Sequence, residues 1–121
     1  MITFVYLCNM VREIIAYGEH FKRFMETLSE AERNKILRAL LLFTDNERIP
    51  AHYIKHIEDG IYEFRVTYIN NEFRIFFIYD GQKLVILFNA FRKKTQKTPQ
   101  SEIKKAKSLK EEYFREKEES Q

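Results

Sequence analysis

The segment from Ile61 to Phe91 constrains the fold more than any other part of the chain. Three runs of alternating apolar and polar residues are separated by Asn70-Asn71 and by Asp80-Gly81. Both are residue pairs that tolerate positive φ, which two-residue hairpin turns require. The segment therefore reads as three antiparallel strands, and turns of that length predict the register. Tyr68 should oppose Phe73, Val66 Ile75, Phe64 Phe77 and Tyr62 Tyr79; across the second turn Phe77 should oppose Leu84, Ile75 Ile86 and Phe73 Phe88. Side chains alternate between faces, so this register defines one apolar face, on which Tyr62, Tyr68 and Tyr79 are packing residues. The other face carries Glu63, Arg65 and Thr67, then Arg74, Phe76 and Ile78, then Val85, Leu87 and Asn89.

The apolar face needs a cover, and the residues before it supply one. Met10 to Tyr17 reads as a short strand with Val11, Ile14, Ile15 and Tyr17 as apolar members, ended by Gly18. Phe21, Phe24, Met25 and Leu28 recur at three- and four-residue steps, the spacing of an amphipathic helix. Ser29-Glu30-Ala31-Glu32 is a capping box that starts a second helix, with Ile36, Leu37, Leu40, Leu41 and Phe43 on its stripe. The two helices form a hairpin, followed by a loop from Asp45 to Pro50. After the last strand, Thr98-Pro99 reads as a helix start with Thr98 as N-cap. That helix runs toward Arg115 on a stripe of Ile103, Ala106, Leu109 and Tyr113, and the charged end beyond it frays. The expected fold is α+β: an N-terminal strand and helical hairpin packed on an antiparallel three- to four-stranded sheet, with a C-terminal helix.

At 121 residues the chain makes one domain, and 45% hydrophobic residues exclude a disordered polymer. The single cysteine, Cys8, excludes an internal disulfide framework. No apolar run approaches the ~18 residues of a membrane span, and Ile2 to Cys8 lacks the charged start and small-residue cleavage site of a signal peptide. The expectation is a cytoplasmic protein with no membrane partner. Residues 1–10 read as a possible N-terminal extension, 11–115 as the domain and 116–121 as a charged tail.

Charge is unevenly spread. Residues 1–90 carry 11 Lys/Arg against 12 Asp/Glu, whereas residues 91–121 carry 10 against 6. Arg92, Lys93, Lys94 and Lys97 fall within six residues free of acids, a pattern that suits a polyanion, or else a solvated loop. Arg65 and Arg74 read as diagonal neighbours roughly 7–8 Å apart. They form either a phosphate clamp or, with Glu63, a surface ion-pair ladder. Phe91 can stack on a base or pack. His52 and His56 have the spacing of a helical metal pair but lack a third ligand, so no metal is expected.

The order of these elements, with Gly60-Ile61-Tyr62-Glu63-Phe64-Arg65-Val66, Phe73-Arg74-Ile75-Phe76-Phe77 and Phe91-Arg92-Lys93-Lys94-Thr95-Gln96-Lys97-Thr98-Pro99, resembles the RelE/ParE superfamily of bacterial toxins, in particular its phage-derived HigB-like branch. The resemblance covers roughly residues 11–115. It implies the toxin of a type II toxin-antitoxin system: a metal-independent endoribonuclease without cofactor, which cleaves mRNA in the ribosomal A site, inhibits translation and is neutralised by a helix-turn-helix antitoxin. The family's catalytic positions fall on Arg65, Arg74, Lys93 and Lys94. Arg92, Lys97 and Phe91 would bind RNA, and Glu63 and His56 are further catalytic candidates. Glu63 stands where RelE carries a lysine. A ParE-like toxin that binds DNA gyrase, or a non-catalytic partner-binding module of the same fold, are the alternatives.

Overall fold

A computed structural model describes residues 11–94 and 97–120. The proposed extension 1–10 with Cys8, and Thr95-Gln96 of the basic run, lie outside the described residues. Five strands and three helices follow in the order β1 (Glu13–Ala16), α1 (His20–Glu26), α2 (Glu30–Asp45), a 3-10 turn (Ala51–Tyr53), β2 (Ile54–Glu58), β3 (Ile61–Tyr68), β4 (Asn71–Asp80), β5 (Leu84–Lys93) and α3 (Gln100–Glu119). The sheet order is β1-β5-β4-β3-β2. The fold is α+β, but the sheet has five strands and is mixed, because β1 runs parallel to β5. The fifth strand is β2, where no strand is expected from the sequence. Its hairpin to β3 turns on Asp59-Gly60, with φ of 54° and 72°. An Asp-Gly pair is a strong hairpin signal, because both residues tolerate positive φ.

Both expected turns shift. The β3–β4 turn centres on Ile69-Asn70, so Val66 pairs with Phe73 and Arg65 with Arg74. That moves the register by two, and the faces of β3 and β4 stay as expected. The β4–β5 turn is longer, with Asp80 paired to Leu84, and a bulge lies between Ile75 and Phe77. Up to the bulge the displacement is odd, so the first half of β5 turns over, and the bulge returns Ala90 and Phe91 to their expected sides. Val85 and Leu87 pack with Phe64, Phe73 and Phe77 beneath the helical hairpin, while Ile86 and Phe88 join Ile61, Phe76 and Ile78 against α3. The expected faces of these four β5 residues are thus reversed.

The Ser29–Glu32 capping box forms as expected, with Glu32 N donating to Ser29 Oγ and Ser29 N donating to Glu32 Oε1. The buried stripe of α2 is Ile36, Ala39, Leu40 and Phe43. Leu37 and Leu41, expected on it, stay about half exposed, because a sheet meets only one narrow side of the helix. α3 buries Ile103, Ala106 and Leu109 over the second face. It remains helical past Arg115, where Lys117 and Tyr113 both donate to Asp80. Burial and the Asp80 carboxylate push Tyr113 up to about 12, so it stays a neutral donor. Among the described residues no helix is long and apolar enough to cross a membrane.

Candidate functional site

The second face of the sheet is closed by α3 only over its lower half. Beyond Phe76 and Ile61 the apolar residues give way to two rows of polar ones. Phe91, Arg74 and Arg65 lie side by side across β5, β4 and β3, and the next row is Lys93, Glu72 and Thr67. Arg65 and Arg74 are therefore directly opposed rather than diagonal. Two guanidiniums so close repel each other unless an anion lies between them.

Glu63 is that anion. Its side chain is completely buried, and its Oε1 accepts from Arg65 Nε at 3.1 Å. Arg74 Nε lies 3.5 Å from the same oxygen, within ion-pair reach but not aligned for a hydrogen bond. Glu63 Oε2 accepts from Thr98 Oγ1 at 3.2 Å. This contact corrects the reading of Thr98 as an N-cap: Pro99 occupies that position, and the Thr98 hydroxyl instead ties the basic connection to the sheet. A buried carboxylate needs such partners, because desolvation otherwise penalises its charge severely.

The exposure of the two arginines differs. The Arg65 side chain is 29% exposed and the Arg74 side chain 6%. Arg74 also donates from Nη2 to Glu72 Oε2 at 3.0 Å, and Glu72 itself is open to solvent. Lys93 is half-buried beside this pair. Burial first, and then the Arg74 guanidinium, push its ammonium below the ordinary lysine range, while Glu63 and Glu72 pull the other way. With Lys94, four cations face two carboxylates, leaving the cluster net positive.

Two cavities open onto it and share Thr67, Glu72 and Arg74. One, of about 570 Å³, is bounded by Ile69, Asn70, Lys93 and Lys94. The other, of about 310 Å³, is bounded by Lys35, His52, Tyr53 and Arg65. Arg65, Arg74, Lys93 and Lys94 thus border these cavities, with Glu63 buried beneath the two arginines.

The remaining candidates do not join them in the same way. Arg92 projects to the opposite face, 5.0 Å over the Phe73 ring and paired with Glu32 at 3.2 Å. Phe91 shares the arginines' face but packs on Phe76 at 5.6 Å, half-buried. His56 sits across from Tyr62, its ring 5.0 Å away, on the hairpin side of the sheet. Lys97 lies exposed in the connection to α3. His52 and His56 occupy a 3-10 turn and a strand rather than one helix, and no group of three His, Cys, Asp or Glu suited to a metal occurs among the described residues.

Glu72, Thr98, Lys35, His52 and Tyr53 were not legible as site residues. Glu72 becomes visible once β4 is registered correctly against Lys93. Lys35 and Tyr53 arrive from other segments with no signal in their spacing, while the spacing of His52 to His56 and the place of Thr98 before Pro99 point to other roles.

No curated protein matches the chain. A family profile described as phage derived protein Gp49-like (DUF891) matches residues 23–111, from within α1 into α3. That stretch holds every residue of the polar cluster and both cavities. The chain belongs to the phage-derived Gp49-like family, within the RelE/ParE-like toxin superfamily.

Proposed function

We propose that the chain is the toxin of a type II toxin-antitoxin system, of the HigB-like branch, and that it cleaves mRNA on the ribosome and is held in check by a helix-turn-helix antitoxin. The observation that carries this reading is the Glu63-centred cluster: two opposed guanidiniums and two lysines, with Arg74, Lys93 and Lys94 bordering the larger cavity and Arg65 and Arg74 the smaller one. Metal-free RNA cleavage uses the 2′-hydroxyl as nucleophile on the adjacent phosphorus. It needs cations on the pentavalent phosphate and groups that move two protons. Arg65 supplies a planar fork for phosphate oxygens. Arg74 contributes fixed positive charge from below, and its Glu72 partner is exposed and displaceable by a phosphate. Lys93, with its lowered pKa, takes the 2′-hydroxyl proton or returns one to the leaving 5′-oxygen. Glu63 orients the arginines, since it is sealed from solvent and its charge is committed to them.

The test is addition of the purified chain to a translation extract, followed by mapping of mRNA ends on and off ribosomes. Wild-type protein should cut ribosome-bound messages. The Arg65→Ala, Lys93→Met double variant, shown folded by circular dichroism, should lose at least a hundredfold in cutting. Undiminished cutting by the folded double variant overturns the mechanism. Intact messages with inhibited gyrase supercoiling would point instead to a ParE-like toxin, and no effect of the chain on growth or translation would point to a partner-binding module.

A further inference from the structure

β2 pairs with β3 only as far as Ile54 opposite Phe64, so β3 from Arg65 onward has no strand on that side. The smaller cavity sits at this interruption, walled by the 3-10 turn on one side and by Lys35 of α2 on another. A column of rings leads out to it from the core. Phe43 stacks on Phe64 at 5.4 Å and 10°, and Phe64 stacks on Tyr53 at 5.7 Å and 13°. Tyr53 in turn carries the exposed His52 ring at 4.3 Å. The column ends at His52, whose ring is the outermost member and lines the cavity. The larger cavity contains no aromatic ring among its lining residues. The two chambers therefore differ chemically: one offers cations and amides, the other a ring platform flanked by Lys35 and Arg65.

We infer that the smaller cavity is a nucleotide subsite, in which an unpaired RNA base stacks on His52 while Lys35 and Arg65 hold the phosphate joining it to the nucleotide in the larger cavity. The inference rests on the RNA-cleaving reading and deepens it by dividing the groove into a phosphate chamber and a base chamber. The groove runs across the strands. From β5 through β4 and β3 to the edge it covers three interstrand steps, about 14 Å, long enough for more than one nucleotide. Its volume of about 310 Å³ also falls at the lower end of small-ligand sites. Stacking is sequence-tolerant because every base has a π face, so His52 adds affinity and positions the strand rather than reading its sequence. A protein partner fits less well, since the lining is dominated by charged and polar groups around one ring pair, His52 and Tyr53, tilted at 35°.

The full chain is titrated with a fluorescein-labelled hexaribonucleotide carrying 2′-O-methyl groups, which cannot be cleaved, at fixed salt. Anisotropy reports Kd, and thermal melting confirms that each variant is folded. His52→Ala should weaken binding about tenfold, and His52→Phe should restore it. Removing one base from the probe should weaken wild-type binding similarly, and the two losses should not add. If His52→Ala binds as wild type while Lys93→Met does not, the base chamber is refuted and the RNA reading stands. If His52→Phe fails to rescue, stacking is refuted. Unchanged RNA affinity combined with weaker antitoxin capture would assign the cavity to a protein. If wild-type chain binds no RNA, the subsite falls, while the cutting of ribosome-bound messages separately decides the RNA-cleaving reading.

Discussion

Removal of the Arg74 guanidinium should destabilise the protein far more than removal of the Arg65 one. Glu63 is fully buried, and Arg74 is almost so. Arg74→Met keeps much of the side-chain volume but, among the described residues, leaves the carboxylate with Arg65 and Thr98 as its hydrogen-bond partners. Breaking a buried pair in this way costs about 3–5 kcal/mol, because one charge remains uncompensated. The remaining contact to Arg65 at 3.1 Å puts the expected cost at the low end, about 3 kcal/mol. That is a large part of the ~5–15 kcal/mol that holds an ordinary domain together. In urea unfolding the midpoint should fall by roughly 1–3 M with an unchanged slope. Arg65→Ala, at a partly solvated position, should cost about 1 kcal/mol or less. Glu63→Gln combined with Arg74→Met removes both charges and should recover about half of the loss. The reasoning is refuted if Arg74→Met unfolds within 1 kcal/mol of wild type, or if the double variant is no more stable than Arg74→Met alone. The corollary concerns activity: an inactive Arg74 variant is informative only if it is folded, so Arg65 and Lys93 are the better probes of chemistry.

Two further outcomes are expected. Ile69 has a φ of 56° and is 75% exposed, so it bears left-handed backbone strain without burial to offset it. Ile69→Asn should raise stability by about 0.5–1 kcal/mol in thermal melting, and a lower melting temperature would refute the strain argument. Asp80 is held below the usual aspartate range by its hydrogen bond to Lys117 and then by Tyr113. A lowered carboxyl pKa stabilises the fold above the unfolded value near ~4 and loses that contribution as pH falls through the folded value. Asp80→Asn should therefore flatten the melting temperature profile between pH 2 and pH 5, and an unaltered profile would show that the α3 anchor does not depend on this charge.

The helical hairpin was legible because its signals are local. The capping box at Ser29 and the three- and four-residue steps of Phe21, Phe24 and Met25 need only neighbouring residues to act. The faces of β3 and β4 were legible for a different reason: a register error of two leaves every side chain on the same side. The first half of β5 was not, since a turn longer by one residue turns it over until the bulge restores the expected alternation, and neither changes the hydrophobic pattern. Arg92 shows what alternation alone decides. It neighbours Lys93 in the chain, yet the pleat sends it to the far face, where Glu32 and the Phe73 ring receive it.

Residue type and local spacing alone thus determined that this chain builds a helical hairpin over an aromatic sheet, with arginines on the reverse side and lysines at the exit of the last strand. Only the tertiary structure decided that Glu63 is sealed between the two guanidiniums, that Thr98 closes the ring around it, and that His52 caps a column of rings beside Arg65. The division has a physical cause: periodicity and capping act over a few residues, whereas burial of a charge depends on which distant segments surround it.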